Sequence, residues 1–451
     1  MKYKQAWLTG LVGLLLVGCG GGGGGNPVLP HASFSIAGLG VGKSVTLALT
    51  HDDSSAVTSV TALETSAVSA ALAKGTYTVK VSLHPQRQLC QVVNGRTLSV
   101  ASTNVSVSVE CHTTYLNDTG VTDTSIALSG VDGAFGRDAA VSRGENLKKL
   151  GAGRAGFDFT KICADGDPVS ATGVCKAQSP AYTNEWACTQ DNVTRLMWDK
   201  RTFTSSSSPP AGIVGGPSRW CGVPDSAWRK PTVHELISII DNRFLGANNT
   251  LATVDRTYFP NIKAEIYKAG EQDYAGKDWY VDFLNYGTAS ITSLSTNELY
   301  VAELSGSRVN ASLNFTVTGD NSGQYVIVDG DRDLIWLFEK NPQPKTWAQA
   351  LSNTELVNTA AVGGHSDWRL PNKNELDSLV DRTAMSPTVY AGLLNGVNAS
   401  VYQSAFWTNT KWFETASVNV WRVDFTTGDI TLRSETDSAR AVYVRNRVTT
   451  P

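Results

Sequence analysis

Three motifs occur twice, in the same order and at almost the same distance. Leu196-Met197-Trp198 returns as Leu334-Ile335-Trp336, and Trp228-Arg229-x-Pro231 returns as Trp368-Arg369-x-Pro371. Trp279-Tyr280-Val281-Asp282-Phe283 returns as Trp421-Arg422-Val423-Asp424-Phe425. The offsets are 138, 140 and 142 residues. Ordered matches at a nearly constant offset indicate internal duplication, and so long a period implies two whole domains instead of a solenoid. This constrains the fold of roughly the last three-quarters of the chain.

The middle motif has a local physical reading. Residues 228–236 read WRKPTVHEL and residues 368–376 read WRLPNKNEL. Each proline biases the residue before it away from helix. After it, Thr232 and Glu235, or Asn372 and Glu375, have capping-box spacing, in which the glutamate reaches back to the N-cap amide. The helices predicted from there are amphipathic, with Val233, Leu236, Ile237 and Ile240 on one face, and Leu376, Leu379 and Val380 on the other copy's face. The recurrent Trp is expected in the core, and the recurrent Arg on a buried carboxylate or an aromatic ring. A cap explains the glutamates without invoking catalysis.

The N-terminus has a targeting pattern. Lys2 and Lys4 precede an apolar stretch, Ala6 to Val17, too short to span a bilayer. Leu16-Val17-Gly18-Cys19 resembles a bacterial lipobox, and Gly20 to Gly25 would form a flexible tether. The alternative is an ordinary secretory signal with a stray cysteine. We read 1–18 as a lipoprotein signal peptide and 19–31 as the lipidated Cys19 with its tether. The membrane partner is then reached through an acyl anchor and not a span. Residue 20 is not Asp, which by resemblance to enteric sorting rules implies the outer membrane, facing periplasm or cell surface. Six further cysteines remain, an even number that suits disulfides in an exported protein. Proximity in sequence favours Cys90–Cys111, Cys163–Cys175 and Cys188–Cys221.

From residue 32 to 112 the apolar residues alternate, as in Val45, Leu47 and Leu49 or Val105, Val107 and Val109. Period two marks half-buried strands, and Asn94-Gly95 has the composition of a hairpin turn. One β-sandwich spacer is predicted here, resembling Ig-like or prealbumin-like modules.

Beyond residue 113 the motifs meet a known family. Asn192-Val-Thr-x-Leu-Met-Trp198, the Trp-Arg-x-Pro-Thr/Asn-x-x-Glu-Leu element and Trp-Tyr-Val-Asp-Phe resemble the Lcl C-terminal domain family. So do Leu116-Asn-Asp-Thr-Gly120, Gly136-Arg137-Asp138, Gly156-Phe-Asp-Phe-Thr160 and Trp186-Ala-Cys188. The WRLP-x-x-x-EL element is also similar to formylglycine-generating-enzyme and C-type-lectin-like folds. The resemblance implies two α+β C-type-lectin-like domains, 113–313 and 314–449, with Thr346 capping the first helix of the second. The copies diverge: Phe406-Trp407-Thr408-Asn409 has Glu265-Ile266-Tyr267 in its place in the first copy, and where the second copy keeps Arg440-Ala-Val442 the first reads Tyr300-Val-Ala-Glu-Leu304.

Catalytic constellations are scarce. The histidines are scattered, without H-x-x-x-H or H-E-x-x-H, and there is no G-x-S-x-G elbow. No cysteine follows Cys221, so the reactive pair of formylglycine-generating enzymes has no counterpart. The recurrent Asp282 and Asp424, and Asp241 and Asp381, supply one carboxylate each and are expected to cap turns or bind the arginines. An enzyme is not expected; the rival reading would gather Arg369, Glu375 and Asp424 in a pocket. Calcium is the one cofactor the pattern admits, at Asp329, Asp331 and Asp333, although Arg332 interrupts them and Asp/Gly turns explain the run. No basic, aromatic-interleaved stretch points to nucleic acid. A net charge of −3 agrees.

Trp407, Trp412 and Trp421 fall within 15 residues, beside Asn409, with Arg440 on the closing strand. Aromatic faces beside planar polar groups suit sugars, and Trp412 is expected in a loop as the exposed anchor. The predicted function is recognition or adhesion at the cell envelope, with glycan or another surface polymer as ligand. A structural part of an envelope or pilus assembly that binds protein is the alternative.

Overall fold

Alternation of apolar residues builds the N-terminal sandwich. The computed structural model describes residues 29–446 apart from several stretches, the longest being 176–184, 205–218, 244–251 and 305–314. Others are 64–67, 125–129, 145–148, 292–296 and 414–417, with a few of one to three residues. Cys19 and its tether lie outside the described residues. The strands are β1 (His31–Ala37), β2 (Ser44–His51), β3 (Val57–Leu63), β4 (Val68–Ala71), β5 (Gly75–Leu83), β6 (Gln88–Asn94), β7 (Thr97–Val100) and β8 (Val105–Thr113). They form two sheets, β4-β1-β8-β6 and β3-β2-β5-β7, closed over one core that includes Phe34, Leu47, Val79 and Val107. Cys90 faces Cys111 across β6 and β8 and is bonded to it.

Asn94-Gly95 does not close a hairpin. β6 pairs with β8 and β7 pairs with β5, so this turn carries the chain between sheets. Gly95 has φ +80°, and a Cβ there would lie 2.6 Å from the Ser106 carbonyl oxygen. The dipeptide satisfies a backbone demand, while sheet pairing is decided by which faces must be buried.

The remaining elements are α1 (Gly136–Ser142), β9 (Phe159–Ile162), β10 (Cys188–Asp191), β11 (Leu196–Asp199), β12 (Phe203–Thr204), β13 (Arg219–Trp220), β14 (Val223–Pro224), α2 (Val233–Ser238), β15 (Ile266–Gln272), β16 (Asp278–Asp282), β17 (Thr288–Ile291), β18 (Asn297–Glu298) and β19 (Val301–Glu303). Then come β20 (Phe315–Gly319), β21 (Gln324–Asp329), β22 (Leu334–Glu339), α3 (Trp347–Thr359), α4 (Lys373–Asp377), β23 (Ala405–Phe413), β24 (Val418–Asp424), β25 (Ile430–Ser434) and β26 (Tyr443–Asn446). The chain is mostly β-sheet with few, short helices.

Strand order repeats. β19-β11-β10-β9 and β26-β22-β21-β20 are antiparallel sheets of the same sequence of roles, each with the Leu-x-Trp strand beside the closing strand. The hairpin sets β15-β16-β17 and β23-β24-β25 meet through their third strands, Ala289 opposite Ile430. The result is one sheet of eight strands, β12-β18-β15-β16-β17-β25-β24-β23. Residues 113–313 and 314–449 therefore share a sheet. They also share an apolar cluster that includes Trp198, Trp279, Trp336 and Trp421. Further disulfides join Cys163 to Cys175 and Cys188 to Cys221. Among the described residues, no helix is long and apolar enough to cross a membrane.

All three predicted caps form. Thr232 accepts from the Glu235 amide while Glu235 accepts from the Thr232 amide at 2.7 Å. Asn372 and Glu375 do the same, at 2.8 Å, as do Thr346 and Gln349 ahead of α3. Trp347, Ala350 and Leu351 are buried, as the predicted face requires.

Candidate functional site

The expected aromatic platform is not on the surface. β23 runs through Phe413, so Trp412 is a strand residue and is 2% exposed. Trp407 and Trp421 are fully buried core residues, and Trp407 donates its indole N–H to the Lys345 carbonyl at 2.8 Å. Asn409 is also buried, and neither polar atom of its side chain has a hydrogen-bond partner. Arg440 is half-buried and donates to the carbonyls of Ser400 and Val401. The expectation of an exposed Trp412 loop is thus corrected. The strand extends further than the polar sequence Asn-Thr-Lys implied, because a register shift between Trp407 and Lys411 absorbs those residues.

The calcium reading loses its first ligand. Asp329 is buried and bound by Arg332, whose guanidinium donates at 2.8 Å and whose amide donates at 3.1 Å. Asp331 and Asp333 lie outside the described residues. Among the described residues, no group of three His, Cys, Asp or Glu side chains could hold a metal ion. The pocket of Arg369, Glu375 and Asp424 does not assemble. Arg369 clasps Glu375 with two bonds of 2.7 and 2.6 Å, while Asp424 caps its own turn through the Thr426 amide. Asp282, Asp241 and Asp381 cap turns likewise.

What the structure does assemble is a polar junction that sequence reasoning missed. The segment Asn117–Gly120 is buried between the two motif sets. From the first set, Asn242 gives its amide N–H and its side chain to the Thr119 carbonyl, at 2.9 and 2.8 Å. From the second set, Asn372 donates to the Asp118 carboxylate at 2.9 Å, and Asn374 donates to the Asn117 and Asp118 carbonyls. Gly120 has φ +84°, and a Cβ would meet the Asp241 carboxylate at 2.2 Å, so this passage needs glycine.

Asp118, Asp132 and Asp138 line this junction. Asp138 binds the amides of Gly120 and Gly156, and Asp118 binds the amide of Asp138. Asp132 accepts from the hydroxyls of Thr119 and Thr410, at 2.6 and 2.8 Å. Burial pushes Asp118 up to about 6, opposed by the Asp138 amide and reinforced by Glu375. Burial, with the Asp118 charge beside it, pushes Asp132 up to about 8. Asp138 is raised well above the ordinary range by burial and by Asp118. Carboxyls that stay protonated when buried can act as donors and avoid the cost of isolated charge.

Cations complete the junction. Burial lowers Lys373 to about 7, against the pull of Asp377 and Asp132. Burial works against the charge of Arg369, but Glu375, Asp118 and Asp132 outweigh it and hold the group charged. Burial also works against Asp377, yet Arg382 and His234 hold its carboxyl well below the usual range. His234 reaches from α2 to Asp377 and to the Val380 carbonyl, at 2.5 and 2.9 Å. Arg382 bonds Asp377 and lies over the Trp279 ring. These groups hold the halves together.

Outside the junction, one aromatic group stands half-exposed among cations. Trp186 has the ammonium of Lys161 at 5.0 Å from its ring centre and that of Lys200 at 4.8 Å. Lys161 lies on β9 and also faces Tyr258, at 5.6 Å. Lys200 bonds the exposed Glu185 at 3.2 Å. Trp186 stands two residues before Cys188, whose bond to Cys221 fixes this edge. The signal in sequence was the Trp186-Ala-Cys188 element, which pointed to family and not to a surface.

Residues 325–445, within the second motif set, match the family of the Lcl C-terminal domain. Neither the curated proteins nor the solved structures contain a match to the chain.

Proposed function

We propose that this chain is a bacterial envelope lipoprotein of recognition type that works by binding, not by catalysis. Its ligand is an acidic glycan or another acidic surface polymer. In this reading Cys19 carries the acyl anchor in the outer membrane, and the Ig-like or prealbumin-like sandwich is the spacer. The distal pair of lectin-like domains arose by duplication of an Lcl-type unit; the repeated strand order and the paired helix caps support that origin. The observation that carries the binding reading is the half-exposed Trp186 ring between Lys161 and Lys200. The indole orders the two ammonium groups that lie over its ring, and those groups meet carboxylate or sulfate.

The test is an array of neutral and acidic glycans, probed with the soluble chain from Ala32 onward, with and without calcium. Binding to acidic members should fall at least about tenfold in Trp186→Ala, a loss near 1.4 kcal/mol. It should weaken with salt as charge attraction is screened. Binding to no glycan, or binding untouched by Trp186→Ala, overturns the reading. Stoichiometric recovery of one envelope protein in its place would establish the assembly alternative.

A further inference from the structure

Lys373 and Asn242 meet in the interior. Lys373 is fully buried, Asn242 is 1% exposed, and the lysine Nζ lies 2.9 Å from the asparagine Oδ1. The orientation of the amide is set, because Asn242 Nδ2 donates to the Thr119 carbonyl and so turns Oδ1 toward the amine. The walls are apolar and aromatic. The Trp421 ring centre is 4.3 Å from Nζ, and Ile240 stands beside Gly287. Glycine at 287 leaves the space for the amine: a Cβ there would lie 3.3 Å from Nζ. Two carboxyls, Asp377 and Asp132, act on the lysine electrostatically.

From this geometry we propose that Lys373 and Asn242 are the two halves of an intramolecular isopeptide bond, formed after folding and joining the two motif sets covalently. Held 2.9 Å from the carbonyl oxygen, the amine has to swing onto the adjacent carbonyl carbon, to the separation of about 3–3.5 Å from which attack proceeds. The Nζ–Cγ bond forms and the Cγ–Nδ2 bond breaks. One amine proton passes to the departing nitrogen, which leaves as ammonia. Atoms and charge balance, and no oxidant or cofactor is consumed. Burial that holds the lysine near neutrality frees the lone pair for attack. The product replaces a buried amine by a neutral amide, and it braces a second motif set that has no disulfide among its described residues.

The experiment is intact-mass and peptide mass spectrometry of the full chain, purified from its membrane in detergent and fully reduced. The expected result is a chain lighter by one ammonia than its processed sequence. A branched tryptic peptide should join the segment holding Asn242 to that holding Lys373. Lys373→Met and Asn242→Ala should each lack the branched peptide. A wild-type chain with both peptides found separately overturns the proposal. So does loss of ammonia without a branched peptide, which would be a cyclic imide at an asparagine. The wild-type measurement decides even if a variant fails to fold.

Discussion

The two helix entrances are alike in sequence and unlike in surroundings. Arg229 clasps Glu235 with side chains 24% and 14% exposed; Arg369 clasps Glu375 with side chains 6% and 11% exposed. Both glutamates complete a capping box and both arginines sit one residue before the proline's neighbour. The second pair, however, lies under the segment that carries Asp118 and Asp132, and Arg369 also faces the Phe135 ring. The first pair is a helix entrance at the rim of the structure. The second is the same device turned into an internal charge balance. Local sequence therefore sets the cap, and the covering segment sets what the ion pair is worth.

Arg369→Ala should cost about 3–5 kcal/mol in urea unfolding, because it strands Glu375 beside buried carboxyls. Arg229→Ala, with solvent at hand, should cost about 1 kcal/mol. Equal losses would show that the covering segment contributes nothing to the difference. The disulfides give a second contrast, since Cys163–Cys175 and Cys188–Cys221 both lie in the first motif set. Breaking Cys188–Cys221 by paired serine substitution should cost about 2–4 kcal/mol. Hydrogen exchange should then rise in β10 and β13 while β21 and β22 stay protected. Loss of protection in β22 as well would mean that the shared sheet unfolds as one unit.

The caps form a finer test. Thr232→Ala should cost about 1 kcal/mol, the ordinary value of an N-cap. Asn372→Ala should exceed it by about 1 kcal/mol or more, because Asn372 also donates to Asp118. A difference within error would place the Asn372–Asp118 bond outside the stability of the fold.

The most specific effect concerns protons. Asp132 stands at about 8 when folded against an ordinary 3.8. Between these values the folded chain holds a proton that the unfolded chain has released. Its contribution is complete below about 4 and is lost as pH rises through about 8. Asp132→Asn keeps the site neutral and should flatten the fall of stability between pH 5 and 8.5. Lys373 contributes with the opposite sign from about 7 up to its ordinary 10.5, and Asp377 does so at acid pH, so the readout is the difference between variant and wild type. An unchanged slope would remove Asp132 from the titration.

Much of the frame was legible in residues. The capping boxes at 232 and 372, the strands Val45–Leu49 and Val105–Val109, and the cysteine neighbours all follow from short-range rules of spacing and periodicity. Less of the site was. Trp412 looked like a loop residue because its neighbours are polar, yet strand pairing with β24 buries it. Asn94-Gly95 looked like a hairpin, yet it joins two sheets. Asp118 and Asp132 gave no sign of the junction, because their partners Asn372, Asn374 and Thr410 lie more than 230 positions away.

By itself the sequence determined the repeated motifs, the helix caps and the alternation of the strands, since each depends on residues within a few positions of one another. Only the tertiary structure decided that the two motif sets share a sheet through Ala289 and Ile430. It alone showed that Lys373 meets Asn242, and that a lone tryptophan at residue 186 stands among lysines. Those contacts depend on which faces meet when water is excluded, and no local spacing encodes that choice.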